Sequence, residues 1–153
     1  MTINRRQTLQ AGISATTVGL MLSAGLITAA QAQAVNKNSF DAKTLKDAMS
    51  ALGAAPAAST QINITSPDIA ENGAVVPVGV ASDIPGTTDI YILVEKNPQP
   101  LSAGFSIPAG TEANVQTRVK MGQSSNIHAV VKANGKLYAA VKETKVTLGG
   151  CGG

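Results

Sequence analysis

NIHAVVKANGKLYAAVKETKVTL, residues 126–148, governs how the rest of the chain is read. Asn134-Gly135 sits between two apolar-rich runs, 126–132 and 136–148, and offers the positive φ angles of a two-residue hairpin turn. The pair is therefore predicted to be two antiparallel strands. Similar runs recur upstream at 61–65, 75–81, 89–95, 104–107 and 113–121, separated by Pro, Gly, Asn and Ser. Ile62 and Ile64 alternate with polar neighbours, as do Ile90, Ile92 and Val94, which is the period of a strand with one buried face. About seven short strands with frequent turn signals predict an all-β antiparallel sandwich over residues 59–148. Pro77 and Gly79 place their run at a sheet edge or a bulge, where a missing donor is tolerated. There is no internal repeat.

Ahead of the sandwich, residues 35–58 read as a helix and a linker. Ser39 can cap a helix that Gly53 stops, and Leu45, Ala48, Met49 and Leu52 follow the i, i+3, i+4, i+7 spacing of a face that covers one side of the domain. Ala54-Ala55-Pro56-Ala57-Ala58 is the linker. Residues 1–34 have another purpose. Arg5 and Arg6 precede an uncharged run from Ala11 to Ala34, the pattern of a twin-arginine export signal, although Thr8 and Gln10 stand where an aromatic and a lysine are common. Ala30-Gln31-Ala32 and Ala32-Gln33-Ala34 both fit a cleavage pattern, so the mature chain is expected to start at Gln33 or Val35. Gly12, Ser14, Thr16, Thr17, Gly19, Ser23 and Gly25 dilute the apolar run, which argues against a membrane anchor.

Charge then loses its first meaning. Arg5 and Arg6 contribute two of the net +3, leaving +1 after their removal. Arg118 is the only arginine beyond them and there is no Trp, so neither a phosphate-binding stripe nor a base-stacking platform is available and nucleic acid is not an expected partner.

Catalytic constellations are sparse. His128 is the only histidine and reads as an ordinary strand residue. Asp68 and Glu71 fall in a turn-rich connection, 66–73, and Lys142, Glu143 and Lys145 read as a solvated strand face. One histidine and one cysteine are too few for a soft metal site, and there is no P-loop, dinucleotide fingerprint or nucleophile elbow.

The chemistry-bearing residue is at the other end. Cys151, the only cysteine, lies within Gly149-Gly150-Cys151-Gly152-Gly153. Glycine has no Cβ, so residues 149–153 form a thin, flexible arm that can enter a narrow cleft, with a reach of about 10 Å from Leu148 to Cys151 when extended. A frayed terminus that happens to hold a cysteine has the same composition. A single cysteine cannot close an internal disulfide, so Cys151 is free, bonded to another molecule or chemically loaded.

Four segments carry a family resemblance: residues 71–78 (ENGAVVPV), 92–98 (ILVEKNP), 117–122 (TRVKMG) and above all 149–153 (GGCGG). Together with the export signal they closely resemble SoxY, the sulfur-carrier subunit of the periplasmic thiosulfate-oxidising system, over essentially the whole mature chain. The resemblance implies an immunoglobulin-like sandwich that forms a heterodimer with a SoxZ-like subunit. It implies that Cys151 is joined oxidatively to thiosulfate by the c-type haem enzyme SoxAX, that the dimanganese hydrolase SoxB releases sulfate, and that the sulfane dehydrogenase SoxCD acts where present. It further implies a carrier that is not itself an enzyme and needs no cofactor beyond the sulfur intermediates on Cys151. Two other classes stay open: a ubiquitin-like carrier loaded on its terminal carboxylate, and a periplasmic structural sandwich with a disulfide-forming tail.

Overall fold

The computed structural model describes residues 39–147. Its elements run α1 (Leu45–Leu52), β1 (Ala57–Ala58), β2 (Ile62–Thr65), β3 (Ile69–Ala70), β4 (Val76–Ser82), β5 (Thr87–Val94), β6 (Leu101–Ser106), β7 (Asn114–Val119), β8 (Ser125–Ala133) and β9 (Lys136–Val146). One sheet has the order β1-β9-β8-β5-β6, with β3 also pairing β9, and the second has the order β2-β4-β7. The predicted hairpin is present: Asn134 and Gly135 take φ of 50° and 74°, and β8 and β9 pair from Ala133↔Lys136 to Ser125↔Thr144.

Strand alternation builds the core. Ile62, Ile64, Val76, Val78, Val80, Ile90, Ile92, Val94, Ile127, Ala129 and Val131 project between the two sheets into one buried cluster. Each large side chain so buried contributes on the order of 1.5–3 kcal/mol. The opposite face of the larger sheet is also covered. Tyr91, Leu93, Leu101, Val130 and Leu137 pack against Ala48 and Leu52 of α1, with Leu45 and Met49 alongside. The helix thus covers one side of the sandwich, as its spacing requires.

Several expectations need correction. The helix does not start from Ser39, which is buried in a separate helical turn at 39–41. Thr44 is the cap: its hydroxyl oxygen accepts the Asp47 N–H at 3.1 Å while its O–H donates to the Asp47 carboxylate at 2.7 Å. That reciprocal pair satisfies a helix-start donor and restarts the helix at Leu45. Gly53 ends it as expected, with φ 137° and its N–H on the Ser50 carbonyl.

Part of the linker, Ala57–Ala58, is a strand, and so is Ile69–Ala70 within the supposed turn-rich connection; both pair in parallel with β9 in an otherwise antiparallel sandwich. The run containing Pro77 is also not an edge: β4 is the central strand of its sheet. The proline is tolerated because β2 ends at Thr65, opposite Gly79, leaving Pro77 with β7 as its one strand neighbour.

Candidate functional site

Cys151, Gly149, Gly150, Gly152 and Gly153 lie outside the described residues, as do Arg5 and Arg6. What the structure defines is the last strand before those glycines and the chain that fastens it. β3 pairs in parallel with the last turn of β9 through Ile69↔Lys145 and Ala70↔Val146. The Lys145 N–H donates to the Asp68 carbonyl at 2.9 Å, and the Thr147 N–H to the Ala70 carbonyl at 3.1 Å. From the other side, the Val146 N–H donates to the Ser124 hydroxyl at 2.9 Å. The end of β9 is therefore held from two directions up to Thr147.

The segment before β4 locks onto the same place. Gly73 accepts the Met121 N–H at 2.7 Å. A Cβ on Gly73 would collide with the Met121 carbonyl oxygen and lie 2.9 Å from Val146 Cγ1, so only glycine lets these three segments meet. Fully buried Thr144 shares a hydrogen bond with Ser66 at 2.9 Å, satisfying both hydroxyls. Lys142 departs from the solvated face expected of it. Alternation along β9 turns it toward the second sheet, where Nζ donates to the Ser66 carbonyl at 2.7 Å and lies 3.3 Å from Asp68 Oδ1. Glu143 and Lys145, of the opposite parity, are exposed as expected.

His128 lies on β8 as an ordinary strand residue with a partner. Its Nε2 is 3.0 Å from Glu95 Oε2, which also accepts from Asn126 Nδ2 at 3.0 Å. The hydrogen bond with His128, and next the one from Asn126, hold the Glu95 carboxyl below the usual carboxylate range. Among the described residues no group of three His, Cys, Asp or Glu side chains could hold a metal ion. The Glu95–His128 contact spans |i−j| of 33, a separation across which no local sequence pattern could have signalled it.

A two-sheet body whose last strand is fastened on both sides and runs on toward the chain's only thiol has the architecture of a carrier domain. Comparison with known proteins gives that class a family. The family model for the sulfur oxidation protein SoxY matches residues 48–151, from within α1 to Cys151. The solved sulfur carrier protein SoxY from Chlorobium limicola f. thiosulfatophilum is 46% identical, with a TM-score of 0.63 over 69% of this chain and 97% of that one. The chain belongs to the SoxY family. A superoxide reductase (neelaredoxin) from Ignicoccus hospitalis, 19% identical, matches with a TM-score of 0.50 over 57% of this chain and 80% of that one, a likeness of fold alone. No curated protein sequence matches the chain.

Proposed function

We propose that this chain is the covalent carrier of sulfur intermediates in thiosulfate oxidation and that Cys151 is the attachment site. The observation that carries the reading is the fastened end of β9, held as far as Thr147, four residues before a cysteine at which the family match also ends. A fixed base aims the arm, and glycine on both sides of the thiol lets it turn within a partner's cleft.

The chemistry divides between carrier and partners. The Cys151 thiolate attacks the outer sulfur of thiosulfate, forming an S–S bond. The two electrons released pass to an oxidant, the role of a c-type haem enzyme of the SoxAX kind. Water then cleaves the bond to the sulfonate sulfur in a hydrolase of the SoxB kind. Sulfate and two protons leave, and sulfane sulfur stays on Cys151. A SoxCD-like dehydrogenase, where present, oxidises that sulfur further. No Lys, Arg or His flanks Cys151 in sequence, so no adjacent cation favours the thiolate. At a thiol pKa of about 8.5, only a few per cent is thiolate at neutral pH, so activation belongs to the partner's site and the chain itself catalyses nothing. Tethering gives a small anion a high effective concentration there.

The Arg5-Arg6 signal supports export to the periplasm through a pathway for folded cargo, which would allow a signal-less SoxZ-like subunit to travel in complex. Among the described residues no helix is long and apolar enough to cross a membrane. Cys151→Ser tests the attachment site. The variant is expected to melt as wild type and to abolish thiosulfate turnover in a reconstituted system; turnover at the wild-type rate overturns the assignment.

A further inference from the structure

The outer face of the three-stranded sheet holds a groove of about 840 Å³ to which sulfur carriage assigns no role. Strand register builds it. Thr65↔Gly79↔Gln116 form one cross-strand row and Pro77↔Arg118 the next, on the face opposite the buried Val76, Val78 and Val80. Because β2 leaves the sheet after Thr65, no strand covers that side of Pro77, and Ser66 and Pro67 form a wall of the opening. Gly79 keeps the floor low: a Cβ there would already stand 3.5 Å from both Thr65 Cβ and Gln116 Cγ.

The charge of the groove is one-sided. Arg118 is the only charged residue lining it. Its guanidinium is exposed and makes no hydrogen bond or ion pair among the described residues. Guanidinium matches oxyanions through paired N–H donors, so an unpartnered one in a carboxylate-free groove is set for an anion.

An anion is within reach. Val146 abuts Gly73, whose carbonyl receives the Met121 N–H, so the base of the arm adjoins the chain just beyond β7. Arg118 stands three residues before Met121, about 10 Å along an extended chain. From Val146 to Cys151 the chain spans up to ~17 Å.

We propose that this groove is the resting site of the arm's anionic cargo. When Cys151 bears thiosulfonate, its sulfonate oxygens accept from Arg118 of the same molecule, whereas the neutral thiol is not retained. The inference rests on the carrier reading for the identity of the cargo. Docking in cis gains from the short tether and is weakened by salt, because Arg118 is exposed. It keeps the labile S–S bond against the body between partner visits.

The test needs no partner enzyme. The exported chain is alkylated at its single thiol with iodoacetate or with iodoacetamide. In each case the thiolate sulfur bonds to carbon and iodide leaves, giving an anionic adduct or a neutral one of nearly equal size. Amide NMR shifts of Gly79, Gln116, Thr117 and Arg118 are compared. At low salt the anionic adduct is expected to move these signals relative to the neutral one, independently of protein concentration. High salt or Arg118→Gln should remove the difference, and Arg118→Lys should retain part of it. Identical spectra, or a difference that grows with protein concentration, overturn docking in cis. So does an equal displacement of the neutral adduct's signals by equimolar thiosulfate, which marks a site for free anions. Because both adducts are installed chemically, docking can fail while thiosulfate turnover through Cys151 persists, and turnover can fail while the shifts remain.

Discussion

Gly73 and Gly150 are both glycines near the business end of the chain, and they should fail in opposite ways. Gly73 is enclosed by the Met121 carbonyl and Val146, so Gly73→Ala forces apart the segments that hold the end of β9. A loss of about 1–3 kcal/mol is expected, read as a lower midpoint in thermal or urea unfolding. Gly150→Val lies outside the described residues and should leave unfolding unchanged. It should instead slow processing by a partner enzyme several-fold, because a β-branched side chain stiffens and thickens the arm. Wild-type processing of Gly150→Val would mean the arm does not enter a confined cleft, and an unchanged midpoint for Gly73→Ala would contradict the packing described. The proposal of an arm at residues 149–153 rests on five adjacent residues of the sequence. Sequence reading could not see why Gly73 must be glycine, since the obstructing atoms belong to Met121 and Val146, far along the chain. The Glu95–His128 contact and the inward turn of Lys142 depend in the same way on residues distant in sequence.

Among the elements, β5 shows most clearly how pattern and packing diverge. Alternation marked Ile90, Ile92 and Val94, and these do face the second sheet. Tyr91 and Leu93, on the other parity, are buried as well, because α1 lies over them. Burial, with the nearby Asp89 charge adding to it, pushes the Tyr91 phenol from its ordinary value near 10 up to about 12. The folded state therefore holds this proton more tightly than the unfolded chain. The resulting stability is fully present below pH ~10 and is lost as pH rises toward ~12, by on the order of 2–3 kcal/mol. Tyr91→Phe lacks this dependence, so urea unfolding of the two proteins should converge or cross in the variant's favour across that window; a pH-independent difference would count against it. The β8–β9 hairpin was legible from Asn134-Gly135 alone. β1 and β3 were not, since two-residue strands exist only through their pairing with β9. Pro77 signals a missing donor and so points to an edge or a bulge, but β4 is central and pairs in unbroken register, and what is missing is only the last stretch of β2.

Taken as a whole, the molecule concentrates its devices at one end: the clamp on β9, the Gly73 contact and the opening of the Arg118 groove all lie where the chain departs toward Cys151. The sandwich was readable from strand count and turns, and Cys151 stands out in the sequence as the proposed attachment site because it is the only cysteine. The clamp and the groove were not, because both arise from strand register. At the opposite terminus, replacing Arg5 and Arg6 by lysine should leave precursor in the cytoplasm, measured by fractionation; normal export of that variant removes the twin-arginine assignment.

The central claim is that sulfur travels covalently on Cys151, and intact mass with fragment mapping addresses it directly. Protein taken from a reconstituted thiosulfate-oxidising reaction should carry thiosulfonate or sulfane sulfur on the fragment containing Cys151, removed by reductant. Sulfur on the terminal carboxyl group, or a disulfide-linked dimer without any small adduct, would contradict the account.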